Sequence, residues 1–483
     1  MVTGTELTDI QITLIDYLIA TGALKLGGPL TLKSKRSSPY FINTGSCCDA
    51  QGLGLLAEAY CDVIKRSDCG DFGIVFGPAS KGIPLAVAIA LKLGGHTGFS
   101  FDRKEFKDYG EATGGDLQKQ ALVGMEIKDG VSIIMVDDVL TTAATKIDAL
   151  NLLNRVAEEL KVLGLFIAVD RQEVGIDGNN AVSEFTAQTG IPVFAAVTAS
   201  QIYQYLNKFN LPGIIDGQTF TPKDLERMAN YLRVYGTVEA REVVGKIPAQ
   251  RIIEPDRSVI PACDVKTLEA LAEIVKGTAD NDKIGGYKIG FTLALSHSLT
   301  KVVETIRQVS NKTIIYDHQK AGTDIPDTGR DFAQVCADAG VDAIILFPQS
   351  GPETERAWIY HALNQGLKVI VGGRMTHPAY SVSEGGFITD KGALEIYRIA
   401  AQIGVTNFVV PGNKPEVISE IRGVIEAEGI ADPALYAPGF VAQGGKVSEA
   451  GEAAGNHMHA IAGRAIYTAS DIKAAAAELT SQL

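Results

Sequence analysis

Residues 133–146, I-I-M-V-D-D-V-L-T-T-A-A-T-K, decide how the first half of the chain is read. Residues 131–136 are a short β-branched and apolar run, which predicts a buried strand. Asp137 and Asp138 follow, then the small residues Thr141, Thr142, Ala143, Ala144 and Thr145. Ile147, Leu150, Leu152, Leu153 and Val156 recur at helical spacing beyond them. A strand, an acidic pair, a small-residue loop and a helix together suit a phosphorylated sugar. The loop and helix start offer N–H groups and a positive dipole end to phosphate. The carboxylates suit ribose hydroxyls or a hard cation such as Mg²⁺. The bland alternative is an ordinary strand–turn–helix with solvated acids.

Outward from this stretch, strand and helix patterns alternate. Helices are predicted over 7–19 and 53–64, a β segment over 30–41, and strands over 72–76, 99–101 and 164–169. After 72–76 comes G-P-A-S-K-G-I-P-L-A (77–86), a tight turn before an apolar helix. Lys81 stands at that helix start, where the dipole disfavours a cation, so an anionic ligand would account for it; the bland alternative is a surface lysine. After 99–101 comes a long polar segment, 102–116, with Arg103, Lys104 and Lys107 close together. Such a segment suits a basic lid, the bland alternative being a solvated charged loop. The alternation implies a mostly parallel sheet with helices on both faces.

The chain has 483 residues, 46% hydrophobic and 21% charged, which suits two to four ordinary globular domains. A formal charge of -13 argues against a general nucleic-acid or anionic-membrane surface, so any basic site must be local. There is no N-terminal signal pattern and no apolar run long enough to span a bilayer. Six cysteines without metal-type spacing fit a reducing, cytoplasmic setting. The Ser481-Gln482-Leu483 ending lacks the basic residue of a peroxisomal signal.

Five motifs occur in order: L-K-S-K-R-S-S-P-Y-F, F-G-P-A-S-K-G-I-P-L-A, F-D-R-K-E-F-K-D-Y-G-E, V-D-D-V-L-T and V-D-R-Q-E. Together they resemble orotate phosphoribosyltransferase over residues 7–236. The resemblance implies a type I phosphoribosyltransferase fold. It implies that Asp137 and Asp138 hold the ribose hydroxyls of phosphoribosyl pyrophosphate, and that Thr141, Thr142, Ala143, Ala144 and Thr145 cradle its 5′-phosphate. Lys33, Lys81, Arg103, Lys104 and Lys107 would contact phosphate and pyrophosphate, with Mg²⁺ carried mainly on the substrate and no metal ligand assigned to the protein. Lys104 and Lys107 would reach into a neighbouring subunit, so a homodimer or higher homo-oligomer is implied. Phe41 and Arg171 would line the orotate pocket, Arg171 pairing with the carboxylate. The family's phosphate loop reads T-A-G-T, and alanine where glycine is usual, resisting positive φ, implies a less tightly wrapped loop.

Residues 237–256 are polar, with Pro248 and Pro255, and read as a join. The first domain is placed at 1–238, the linker at 239–256 and the second domain at 257–483. Eight apolar runs follow, at 259–263, 286–291, 313–316, 343–347, 368–372, 407–410, 435–437 and 459–462. Separated by helical patterns, they predict a (β/α)₈ TIM barrel whose chemistry lies at the strand ends. The polar residues there are Asp264, Lys288, Asp317, Lys320, Thr376, His377, Gln443 and Arg464.

The stretch D-H-Q-K-A-G-T-D-I-P-D-T, with Y-K-I-G-F around Lys288, resembles orotidine 5′-monophosphate decarboxylase. The family motif is D-x-K-x-x-D-I-P-x-T; here each spacing is longer by one. Residues three apart on a regular strand face opposite ways, so a bulge or the strand's end must lie between Asp317 and Lys320. The resemblance implies that Lys320 protonates C6, that Asp317 lies near the departing carboxylate, and that Lys288 completes the array. Asp264 would take a ribose hydroxyl, and Thr376 would read the pyrimidine. Gln443 and Arg464 would bind phosphate, and Asp324 and Thr328 would enter from the partner subunit. This step would need no cofactor. The two resemblances imply two successive steps on one nucleotide, acting on orotate, phosphoribosyl pyrophosphate and orotidine 5′-phosphate. Two rivals stay open here: a nucleotide-sensing regulatory protein, and a barrel with sugar-phosphate lyase chemistry.

Overall fold

The computed structural model describes residues 7–32, 36–103, 121–140, 143–175, 178–208, 214–215, 218–219, 221–247, 251–319, 321–439 and 447–483. The chain divides into two compact units, Met1–Gly245 and Lys246–Leu483.

In the first unit a six-stranded sheet runs in the order Leu122–Gly124, Gly98–Asp102, Ile74–Phe76, Ser132–Val139, Lys161–Asp170, Val193–Thr198. All neighbours are parallel except the edge strand Leu122–Gly124, which pairs antiparallel with Gly98–Asp102. The sheet is therefore mixed, and the sequence pattern does not reveal its reversed edge. Side chains alternate across a strand. Ile133 and Met135 pack with Leu150 and Leu153 of the helix Ala144–Val156 in one buried cluster. Ile134 and Val136, equally buried, face the other way. On that side the helix Gly82–Leu93 contacts the strand. Its entry turn is glycine by necessity: a Cβ on Gly77 would collide with the Gly82 carbonyl, and one on Gly82 would lie 2.8 Å from the Val136 oxygen.

The helix Ala50–Ser67 forms because Leu56, Tyr60, Val63 and Ile64 recur on one buried face. Asp49 caps it by accepting the Gly52 N–H, and Asp68 ends it in the left-handed region. An antiparallel hairpin, Leu24–Thr31 with Ser37–Ile42, stands apart from the main sheet. Within the stretch read as a join, Val238–Val244 forms a helix with Ala240 and Val244 buried.

The second unit is a barrel of eight parallel strands, from Arg257–Pro261 to Met458–Ala462. Bridges Val259–Ile284 and Ala262–Lys288 close the ring between the first and second strands. Ile260, Ala262, Ile315, Ile345, Ile370, Val409, Tyr436 and Ile461 fill its interior. Ile252 and Ile253 join this core ahead of the first strand. There the Thr313 hydroxyl donates to the Ile252 carbonyl at 2.8 Å, on the side where strands begin.

Candidate active sites

In the first unit, the alternation that buries Ile133 and Ile134 on opposite faces also separates Asp137 from Asp138. Asp137 points to the helix Ala144–Val156 and forms an ion pair with Lys146; both side chains are buried. Its other oxygen accepts the Asp138 N–H at 2.8 Å, and its backbone carbonyl accepts from the Tyr60 hydroxyl. Burial pushes the Asp137 carboxyl above the usual range, opposed by the Lys146 charge. Asp138 points the other way and meets the Lys81 ammonium at 2.6 Å. The anion beside Lys81 is thus the chain's own carboxylate, where an anionic ligand was expected. The Lys81 side chain remains 55% exposed.

Ala143 caps the helix at φ -68 ψ -26, and Ala144 is its first residue. The looser loop expected from alanine does not follow at this position, because no left-handed backbone is required there. Thr145 lies in the exposed first turn. The Arg103 N–H donates to the Ala121 carbonyl at 2.8 Å, and its Nε is buried with no partner among the described residues. The Arg171 guanidinium lies 4.3 Å from the Tyr40 ring centroid. It donates to Glu173 at 2.8 Å and to the Ser38 hydroxyl at 3.2 Å. Phe41, 41% exposed, alternates to the hairpin face opposite Ser38 and Tyr40. The structure therefore does not put Phe41 and Arg171 on one face of that strand. Lys33, Lys104, Lys107, Thr141 and Thr142 lie outside the described residues.

At the barrel mouth a cavity of about 310 Å³ is lined by Asp264, Lys288, Asp317, Gln319, Thr376 and Arg464, among others. Consecutive strands bring three of these together. Lys288, buried on the second strand, lies 3.1 Å from Asp317 at the end of the third and 3.5 Å from Asp264 beyond the first. Burial alone would lower its pKa, but Asp317 and Asp264 outweigh burial and hold the ammonium above the usual lysine range.

The strand Thr313–Asp317 stops at Asp317, and Gln319 turns at φ 54. This is the strand end that the lengthened motif requires. The turn also lets the Gln319 N–H donate to Asp317 at 2.9 Å. Lys320 and Gln443 lie outside the described residues. Asp324 and Thr328 do not line the cavity. Their segment is held by neighbouring side chains: the Thr354 hydroxyl donates to the Asp324 carbonyl at 2.9 Å, and Trp358 Nε1 donates to the Ile325 carbonyl at 3.1 Å.

Two cations escaped the sequence reading. Lys146 carries the same signal as Lys81, a lysine at a helix start. Arg374 follows the fifth strand in G-G-R-M-T and lines the cavity. It is buried, its guanidinium pairs with Asp390 at 2.8 Å, and its backbone N–H donates to the Tyr397 hydroxyl oxygen at 3.0 Å. The rule that chemistry sits at strand ends would have found it.

Among the described residues no helix is long and apolar enough to cross a membrane. No group of three or more His, Cys, Asp or Glu side chains there could hold a metal ion. Both Asp137 oxygens are engaged by Lys146 and the Asp138 N–H, so Asp138 is the carboxylate of the pair that suits Mg²⁺ arriving on a pyrophosphate.

Residues 56–198 match the phosphoribosyl transferase domain family, and residues 257–479 match the orotidine 5′-phosphate decarboxylase / HUMPS family. The orotate phosphoribosyltransferase of Bifidobacterium adolescentis is 35% identical over 232 residues, covering 46% of this chain and 95% of the relative. That of Clostridium acetobutylicum is 34% identical over 228 residues, covering 46% and 96%. A crystal structure of orotidine 5′-monophosphate decarboxylase from Methanocaldococcus jannaschii, in complex with the inhibitor BMP, is 27% identical. It covers 47% of this chain and 98% of that one, with a TM-score of 0.42.

Proposed function

We propose a division of residues between two reactions for a chain that belongs to the orotate phosphoribosyltransferase family over its first half and carries an orotidine 5′-phosphate decarboxylase domain in its second. The chain is an enzyme of pyrimidine biosynthesis with both steps in one polypeptide, the arrangement of a bifunctional uridine monophosphate synthase.

In the first step orotate displaces pyrophosphate from phosphoribosyl pyrophosphate. The acidic pair holds the ribose, and the start of the helix Ala144–Val156 takes the 5′-phosphate with its N–H groups. Lys33, Lys81, Arg103, Lys104 and Lys107 neutralise the leaving pyrophosphate. Lys104 and Lys107 do so from the neighbouring subunit of a homodimer. Arg171 exchanges Glu173 for the orotate carboxylate, since a planar guanidinium pairs equally well with either. Bound Mg²⁺ would supply further neutralisation of pyrophosphate.

In the second step the bond from C6 to the carboxylate breaks and its electron pair stays on C6. Lys320 delivers a proton to that carbon as CO₂ leaves. Asp317 stands beside the departing carboxylate, held by Lys288, while Asp264 takes a ribose hydroxyl. Thr376 reads the pyrimidine, Gln443 and Arg464 take the phosphate, and Asp324 and Thr328 join from the partner subunit. All the charge comes from side chains, so the step draws on fixed electrostatics rather than a cofactor. Free cysteines throughout suit a reducing cytoplasm.

The observation that carries this reading is the buried Lys288 between Asp264 and Asp317 in a cavity that also holds Thr376 and Arg464. Feeding orotate, phosphoribosyl pyrophosphate and Mg²⁺ is expected to give uridylate through orotidylate. Lys320→Ala is expected to stop at orotidylate. Continued CO₂ release by that variant would remove Lys320 as the proton donor.

A further inference from the structure

Each acid of the pair meets an ammonium from a different helix start, and the two ammonium groups differ in kind. Lys146 is the third residue of the helix Ala144–Val156, where the dipole opposes a cation. It is also buried, so it has lost its water. Asp137 compensates with one oxygen and gives the other to the Asp138 N–H. Both of its oxygens are thus engaged inside the fold. Lys81 is more than half exposed and can leave Asp138 for an arriving phosphate. Together Asp137, Asp138, Lys81 and Lys146 sum to zero charge. A polyanionic ligand approaching two uncompensated carboxylates would be repelled; approaching this quartet, it is not.

We propose that Lys146 is a positioning residue, a resident cation that fixes Asp137 and does the neutralising work of a divalent metal at the acid pair. The ribose 5-phosphate end of the substrate then binds this chain without Mg²⁺, and Asp138 is the acid that trades its partner for a sugar hydroxyl. This rests on reading the acid pair as the ribose site.

Calorimetric titration of the full chain with ribose 5-phosphate, in EDTA and in Mg²⁺, tests it. The natural sequence is expected to bind within about threefold under both conditions. Lys146→Met is expected to lose at least tenfold in EDTA and to recover most of that with Mg²⁺. The double variant Asp137→Asn/Lys146→Met removes both charges of the buried pair and keeps the site balanced, so metal-free binding is expected to return. A tenfold loss for the natural sequence in EDTA would overturn the proposal. So would unchanged metal-free binding by Lys146→Met, or a double variant that stays weak. A natural chain that binds neither ribose 5-phosphate nor phosphoribosyl pyrophosphate even with Mg²⁺ would instead sink the ribose-site reading, and this proposal with it.

Discussion

The two units solve opposite problems with the same side chains. In the first, two adjacent carboxylates leave a strand on opposite faces and each has its own ammonium. In the barrel, one buried ammonium is shared by two carboxylates converging from neighbouring strand ends. The first arrangement is neutral; the three barrel groups carry one excess negative charge. A neutral quartet suits a ligand that arrives as a polyanion. An excess of carboxylate suits a reaction in which another carboxylate has to depart. Backbone geometry makes this difference. Successive residues on one strand diverge, whereas corresponding strand ends around a barrel converge.

The sharpest way to break the contrast is to remove the shared ammonium. Lys288→Met leaves Asp264 and Asp317 facing each other without a counter-charge. It is expected to destabilise the barrel by about 3–5 kcal/mol and to slow CO₂ release by roughly 10²–10³-fold, with orotidylate formation retained. Urea unfolding followed by the fluorescence of Trp358, the chain's single tryptophan, together with release of label from carboxyl-labelled orotidylate, measures both. A barrel as stable as before would mean the trio is not the electrostatic unit described.

Mild acid is expected to separate the units by a smaller margin. Burial holds His459 down to about 3 and His361 down to about 4. The folded barrel keeps both neutral while the unfolded chain protonates them below its usual histidine value, so the unfolded state binds more protons. The two histidines therefore take stability from the barrel as pH drops from about 6.5 towards 4, by up to roughly 1.4 kcal/mol per pH unit each, partly offset by the buried Glu355, whose carboxyl is held well above its usual range. Asp137 has the opposite sign: its carboxyl is raised in the fold, so acid relieves a cost there. Trp358 fluorescence is expected to report barrel loss before the helical signal of the first unit goes. Coincident transitions would contradict this.

The smallest effect concerns the turn beneath Asp317. Gln319 holds a left-handed backbone that glycine adopts freely, so Gln319→Gly is expected to leave barrel stability within about 1 kcal/mol, on the stabilising side. Thermal melts of the two proteins check it, and a clear loss would show that the glutamine side chain, rather than its N–H, secures Asp317.

Much of this contrast was legible in the residues. All eight barrel strands fall where apolar runs recur, because a strand buried on both faces is mostly apolar. The break after Asp317 was legible because strand alternation forbids the lengthened spacing otherwise. Other elements were hidden for physical reasons. Gly27, Gly28 and Pro29 disguise the first hairpin strand. Leu122–Gly124 is too short to show a period. Val238–Val244 buries only two of its residues and reads as polar connection. Lys146 and Arg374 escaped because a cation is taken as solvated until its buried partner is seen, and those partners, Asp137 and Asp390, lie on other elements.

Ile252 and Ile253 carry a practical consequence for anyone wishing to isolate the second catalyst. The homologous region begins at residue 257, yet the plug beneath the barrel precedes it. A fragment cut at Arg257 would start with an open floor, forfeiting the burial of two isoleucines, roughly 3–6 kcal/mol. The tether is part of the vessel it leads to, and a clean excision has to begin upstream of Arg251.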